Sequence, residues 1–285
     1  MKVIITGSKG QLGLEIINQL EKINSKFMRK KYDINSTTSS SLNITNLEDV
    51  KRIILNERPD VVINCAAHTK VDLCESDIEN AYKINALGVR NLAITCEKIG
   101  AKLVQVSTDY VFNGDSSVPY REDSITCPNS IYGKSKLMGE NFVKQFSSKY
   151  FIIRTAWLYG EGNNFVRTMI NLAKNNNKIN VINDQFGTPT STVDLARVII
   201  NLIETEYYGI YHGTCKGQCS WYDFAYKIFD TIGLKNVILN PISSNEFKSI
   251  AQRPMYSVLD NFMLDLIGMD TFRNWEDALI EYLKK

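Results

Sequence analysis

In the first half of the chain, short β-branched runs alternate with longer stretches in which apolar residues return every three or four positions. The short runs, read as strands, are "KVIITG", "KFM", "DVVINCAA", "AKLVQVSTD" and "YFIIRTAWLYG". Between the first two, Leu12, Ile16, Ile17, Leu20 and Ile23 fall on one stripe of a helix. Val61, Val62 and Ile63 follow one another without a polar break, as in a parallel strand buried on both faces. This alternation predicts an α/β fold, a doubly wound parallel sheet covered by helices.

Beyond about residue 157 the pattern loosens. A helix near "NNFVRTMINLAKNNN", a strand near "KINVIND" and a helix near "TVDLARVIINLIE" precede short mixed elements from residue 210 and a last helix at "NWEDALIEYLKK". The division expected is 1–156 as the main sheet domain and 157–285 as a smaller, partly discontinuous C-terminal lobe. Some of its segments return to the sheet, and its loops close over one end. The piece "NSTTSSSLN" (35–43) reads as a loop, because strand-helix alternation resumes after it.

Composition narrows the partners. A chain of 285 residues with 44% hydrophobic and 22% charged residues can bury a large core, and a net charge of +2 gives no footprint for nucleic acid. No apolar run approaches ~18 residues, so no membrane span is expected. The first strand begins two residues after the initiator, which leaves no room for a signal peptide and points to the cytoplasm. Six cysteines without paired CxxC spacing and two histidines, His68 and His212, do not suggest structural zinc; the cysteines read as reduced packing thiols.

"TGSKGQLG" sets Gly7, Gly10 and Gly13 between the first strand and the first helix. Glycines there permit a tight turn, close approach of a pyrophosphate and tight helix packing, and the helix N-terminus offers free N–H groups. In this context the motif marks the first domain as a Rossmann dinucleotide site. Arg29, Lys30 and Lys31 precede Asp33 where the second strand is expected to end. Basic residues there suit the 2'-phosphate of NADPH; a solvated charge run is the plain alternative, which leaves NADH open.

"VSTDYVF" places Ser107 and Thr108 at the carboxyl end of the fourth strand, where ligands of open sheets bind. "YGKSK", after the helix-start signal Pro128-Asn129-Ser130, puts Tyr132 and Lys136 on one helix face. Lys136 and an oxidised nicotinamide would pull the phenol from a pKa of about 10 toward 7. Tyr132 would then give a proton to a carbonyl oxygen that Thr108 orients.

With "NCAAHT" between them, these motifs resemble those of the extended short-chain dehydrogenase/reductases, and the resemblance runs nearly end to end. More narrowly, "AAHTKVDLCESD", "STDYVFNG", "PNSIYGKSKLMGE", "RTAWLYG", "GNNF", "INDQFGTPT" and "RPMYSVLD" resemble a branch acting on dTDP-linked keto-deoxysugars. That resemblance implies NADPH- or NADH-dependent reduction of the C4 keto group of dTDP-4-dehydro-L-rhamnose to dTDP-L-rhamnose, the last step of dTDP-rhamnose synthesis. It implies Thr108, Tyr132 and Lys136 as the catalytic trio. Cofactor contacts would come from Gly7, Gly10, Gln11, Leu12, Gly13, Ala66, Ala67 and Thr69, with Asn85 supporting a proton relay through the backbone. Substrate contacts would include Val71, Asp72, Ser107, Tyr110, Trp157, Asn164 and Arg253. Plainer roles remain for some: Trp157 as a core aromatic, Arg253-Pro254 as a turn, His68 as a loop-shaping residue and His212 as structural.

Two departures stand out. Asn43 in "SLNITN" occupies a position near the adenine where the family tends to have an acid. Some members bind magnesium through glutamates; Glu15 matches one, but Val193 replaces another, with Asp194 beside it. The metal site is therefore unassigned and the need for Mg²⁺ open, as is a homodimer that such a metal would support. Among rival readings, a 4,6-dehydratase would follow the hydroxyl with an Asp-Glu pair, whereas Tyr110 follows Thr108-Asp109 here. A 4-epimerase, a reductase of another nucleotide-linked 4-keto-6-deoxysugar, and a non-catalytic nucleotide-binding regulatory subunit stay as alternatives.

Overall fold

The structure, a computed structural model, describes residues 1–26 and 30–284. Six parallel strands form the main sheet: β1 (Lys2–Thr6), β2 (Asp33–Ser36), β3 (Val61–Asn64), β4 (Lys102–Thr108), β5 (Tyr150–Thr155) and a later strand, Gly209–His212. Their spatial order runs from Gly209–His212 through β5, β4, β3 and β1 to β2. The order reverses between β1 and β3, since the chain moves outward from β1 to β2 and then crosses back to β3. Ligands of doubly wound sheets bind at such a switch, beyond the carboxyl ends of the strands.

Alternate residues of each strand feed two cores, as a period of two requires. Val3, Ile5, Val61, Ile63, Val104 and Phe151 pack on one side with Ile16 and Leu20 of α1 (Gln11–Asn24) and with the Thr192–Ile203 helix. Ile4, Val62, Leu103 and Ile152 pack on the other with Val50 and Ile54 of α2 (Leu47–Glu57), Leu92 and Val143. All of these are solvent-free, each burial worth roughly 1.5–3 kcal/mol. The first core continues into the C-terminal half through Phe224, Ile228, Trp275 and Leu279, so one hydrophobic body holds the cleft's two walls in register.

The second strand departs from the sequence expectation. "KFM" falls largely on residues outside the described ones, and β2 forms at Asp33–Ser36 instead. The reason is that β2 is the sheet's edge: its side chains are half-buried or exposed, so it needs no apolar run. Lys2 pairs with Asp33 and Ile5 with Ser36, which puts Asp33 at the amino end of the sheet and Ser36 at the ligand end. "NSTTSSSLN" is accordingly strand at Asn35–Ser36 and loop thereafter.

Candidate active site

A cleft of about 1040 Å³ opens over the carboxyl ends of β1, β3 and β4. Its floor is the β1–α1 turn. Gly7 takes φ +64°, and a Cβ there would lie 2.7 Å from the Ala66 nitrogen. A Cβ on Gly13 would lie 2.6 Å from the Gly7 carbonyl oxygen, so α1 can seat against the turn only through glycine. Gly10, the N-cap of α1, supplies no side-chain cap, which leaves the first amides of α1 facing the cleft beside Gln11 and Leu12. Bare amides, a positive helix end and a cradle that any Cβ would fill fit a dinucleotide pyrophosphate.

Ala66, Ala67, Thr69 and Val71 line the wall that follows β3. At the end of β2 the lining residues are Thr38 and Ser39, with Asn43 farther along. Of the basic cluster, Lys31 does not reach this place. Lys31 lies at the opposite end of the sheet, its carbonyl accepting the N-terminal ammonium and its Nζ 3.5 Å from Glu204; Arg29 lies outside the described residues. Among the described residues, the hydroxyls of Thr38 and Ser39 line the cleft just past the end of β2.

The Ile131–Phe146 helix starts at Ser130, whose hydroxyl accepts from the Gly133 amide at 3.1 Å. A Cβ on Gly133 would meet the Tyr110 carbonyl oxygen at 2.2 Å, so glycine lets this helix dock on the turn after β4. Three turns of the helix then meet the end of β4. The Thr108 side chain is hydrogen-bonded to Tyr132; Lys136 Nζ donates to the Val106 carbonyl at 2.5 Å; and the Ser107 hydroxyl donates to Glu140 at 2.6 Å. Tyr110 sets its ring edge-on to Tyr132, centroids 5.5 Å apart.

Burial dominates the electrostatics. It raises the Tyr132 phenol well above its ordinary 10, with the Thr108 hydrogen bond opposing and the Asp109 charge adding to the rise. Among the chain's own groups, desolvation of a phenolate outweighs the rest, and Lys136 turns to the Val106 carbonyl. Burial also lowers Lys136 to about 8, with Glu140 and Cys65 opposing. Tyr132 is thus a neutral phenol, the form that can donate a proton.

Several predicted residues serve one another. The Ser107 hydroxyl is committed to fully buried Glu140, which Arg154 grips with two nitrogens at 2.8 and 3.0 Å. Asn85 lies behind the cleft wall; its Oδ1 accepts from the His68 amide at 2.8 Å and its Nδ2 donates to the His68 carbonyl and the Ser135 hydroxyl. Asn164 caps the Phe165–Asn175 helix and donates to Gln11 at 3.1 Å. Asp72 accepts from Arg253 at 2.9 Å and from the Ala251 amide at 3.0 Å, tying the loop after β3 to the C-terminal half. Arg253 Nε is buried without a partner, and Arg253 lines the cleft.

Trp157 is a cleft residue. It holds φ +46° just past β5 and stacks on Trp221 at 3.5 Å, both rings lining the cleft. Trp221 escaped the sequence reading; its local signal is the Ser220–Asp223 capping box that fixes the helix it begins. Asp109 and Glu140 were also passed over, and both are polar residues inside otherwise recognised motifs. His212 is buried, lowered to about 3 by burial first and then by Arg154, and held by the Tyr120 and Asp260 carbonyls, a structural role.

The carboxylates at the magnesium positions are engaged by neighbouring side chains. Glu15 accepts from Gln19, while the buried Asp194 carboxylate is taken by Arg273 and Arg197. Among the described residues, no three His, Cys, Asp or Glu side chains converge as a metal site, and no helix is long and apolar enough to cross a membrane.

A parallel sheet with a glycine cradle and a Thr–Tyr–Lys centre defines a nicotinamide-dependent reductase of the short-chain class. The family model described as "RmlD substrate binding domain" matches residues 1–285. The chain belongs to the dTDP-4-dehydrorhamnose reductase family. A reductase of that name from Aggregatibacter actinomycetemcomitans is 40% identical over 91% of this chain and 90% of its own. One from Clostridium acetobutylicum superposes with a TM-score of 0.95 at 51% identity, covering 100% and 99% of the two chains. A third, from Bacillus anthracis in complex with NADP, gives 0.94 at 45% identity over 99% and 98%.

Proposed function

We propose that this protein reduces the C4 keto group of dTDP-4-dehydro-L-rhamnose with NADPH or NADH, giving dTDP-L-rhamnose. The observation that carries the reading is the docking of Tyr132, Lys136 and Glu140 onto the last three residues of β4 beside the glycine cradle. A bound reduced nicotinamide supplies the hydride. Tyr132, held neutral by burial, delivers the proton to the keto oxygen, a contribution worth roughly 10²- to 10⁴-fold. Lys136, at about 8, is cationic for most molecules at neutral pH and compensates the phenolate that donation leaves. The α1 amides hold the cofactor pyrophosphate, and the unpaired Nε of Arg253 offers a donor to the sugar nucleotide's diphosphate. The stacked Trp157 and Trp221 give the nucleoside or sugar a flat apolar wall. The reading extends to the cytoplasm, where nucleotide sugars are made.

A relative from Streptomyces niveus, 35% identical over 98% of this chain and named dTDP-4-keto-6-deoxy-D-glucose reductase, supports a second reading with a different sugar stereochemistry. Oxidation of NADPH and of NADH, each with the two 4-keto sugars generated in situ, separates them. Turnover confined to dTDP-4-dehydro-L-rhamnose supports the first reading; turnover only with the D-glucose derivative replaces it.

A further inference from the structure

Thr108 has one hydroxyl hydrogen, and the structure shows where it goes. Its Oγ donates to Asp109 Oδ1 at 2.9 Å and accepts from the Tyr110 amide at 3.2 Å. A hydroxyl so engaged can accept from Tyr132 but cannot donate to a substrate oxygen. Reduction places growing negative charge on that oxygen and calls for donors. Asp109 itself is 2% exposed and lines the cleft, its carboxyl held between the Thr108 hydroxyl and Ser257. Keeping a carboxylate charged is costly in so buried a place.

We propose that Asp109 is a positioning residue that sets the direction of the Thr108 hydroxyl, and that the protonated carboxyl gives the faster form. A neutral Asp109 donates its own hydrogen to Thr108 Oγ, and Thr108 turns its hydrogen to the keto oxygen. Tyr132 remains the proton source, so the Asp109 proton is retained through turnover. Burial raises Asp109 to about 6, with interactions from Ser257 and Thr108 holding the rise down. The titratable neighbours are Tyr132 on the catalytic helix and Tyr110 on the turn after β4, both of which feel the Asp109 charge and both of which stay neutral below pH 8.

The inference rests on the reductase reading, and its test separates the two. Turnover of the full-length protein with saturating NADPH and 4-keto sugar is measured from pH 5 to 8 for wild type, Asp109→Asn, Thr108→Val and Tyr132→Phe. NADPH binding and thermal melting serve as fold controls. Wild-type turnover is expected to rise several-fold as pH falls through about 6. Asp109→Asn, whose amide donates to Thr108 at every pH, should lose that dependence and exceed the wild-type rate at pH 8. Thr108→Val should also lose the dependence, at a much lower rate. A retained acid-side rise in either variant, or an Asp109→Asn rate at pH 8 at or below wild type, overturns the inference while leaving the reductase intact. A wild type inert toward the sugar, or a fully active Tyr132→Phe, overturns the reductase reading and this inference with it.

Discussion

Burial pushes Tyr132 and Lys136 toward their neutral forms, the phenol by raising its pKa and the ammonium by lowering it to about 8. For a proton donor this is the useful direction, and it shows why a Tyr-x-x-x-Lys spacing alone says so little: the strand end supplies the desolvation. Asp109 carries the same logic into stability. Its folded pKa, about 6, lies above its ordinary 3.8, so its contribution is fully present below 3.8 and lost as pH rises through 6. Asp109→Asn should therefore stabilise the fold at pH 8 by up to ~3 kcal/mol, from about two pKa units at 1.36 kcal/mol each, and leave melting near pH 4 almost unchanged. Thermal melts at both pH values check this; equal shifts at the two would contradict it.

At the scale of elements, the buried strands were legible because a parallel strand covered on both faces writes an uninterrupted apolar run, as in Val61–Ile63. The edge strand β2 wrote none: Asp33-Ile34-Asn35-Ser36 carries a single apolar side chain, and reading the strand too early moved Lys31 from the amino end of the sheet to the ligand end. The glycine cradle was legible because its steric demand is local. Gly13→Ala, with its Cβ 2.6 Å from a carbonyl oxygen, should weaken NADPH binding by roughly 5- to 150-fold by titration, the cost of moving α1 being ~1–3 kcal/mol. The Gly209–His212 strand predicts a pH response of opposite sign to Asp109. His212 sits near 3 in the fold against 6.5 outside it, so its stabilisation is present above 6.5 and lost as pH falls from there toward 3. Melting temperature should decline on acidification below 6.5, and His212→Gln should flatten that decline; an unchanged slope would contradict the assignment.

Across the whole molecule, the cleft is made by residues far apart in sequence, and that is the part the sequence hid. The Trp157–Trp221 stack and the Asp72–Arg253 pair join segments 64 and 181 residues apart, and no local pattern announces such pairings. Ser107 and Glu140 likewise became a pair only once the Ile131–Phe146 helix lay on β4. The Asp72–Arg253 contact bridges the two walls, and the Nε of Arg253 has no hydrogen-bond partner. Arg253→Ala should raise KM for the sugar nucleotide roughly 10- to 100-fold, the range for losing a charge-assisted hydrogen bond, with NADPH affinity unchanged. Equal losses for both ligands would mean that Arg253 holds the walls together and does not bind the diphosphate.

The central claim is that the Tyr132 phenol delivers the proton in a reduction performed on β4's carboxyl end. The most direct measurement is single-turnover oxidation of bound NADPH on adding dTDP-4-dehydro-L-rhamnose, for wild type and Tyr132→Phe, with cofactor affinity measured on the same samples. The account predicts rapid oxidation by wild type and a rate at least ~10²-fold lower for Tyr132→Phe at equal affinity. Oxidation by Tyr132→Phe at the wild-type rate would contradict it.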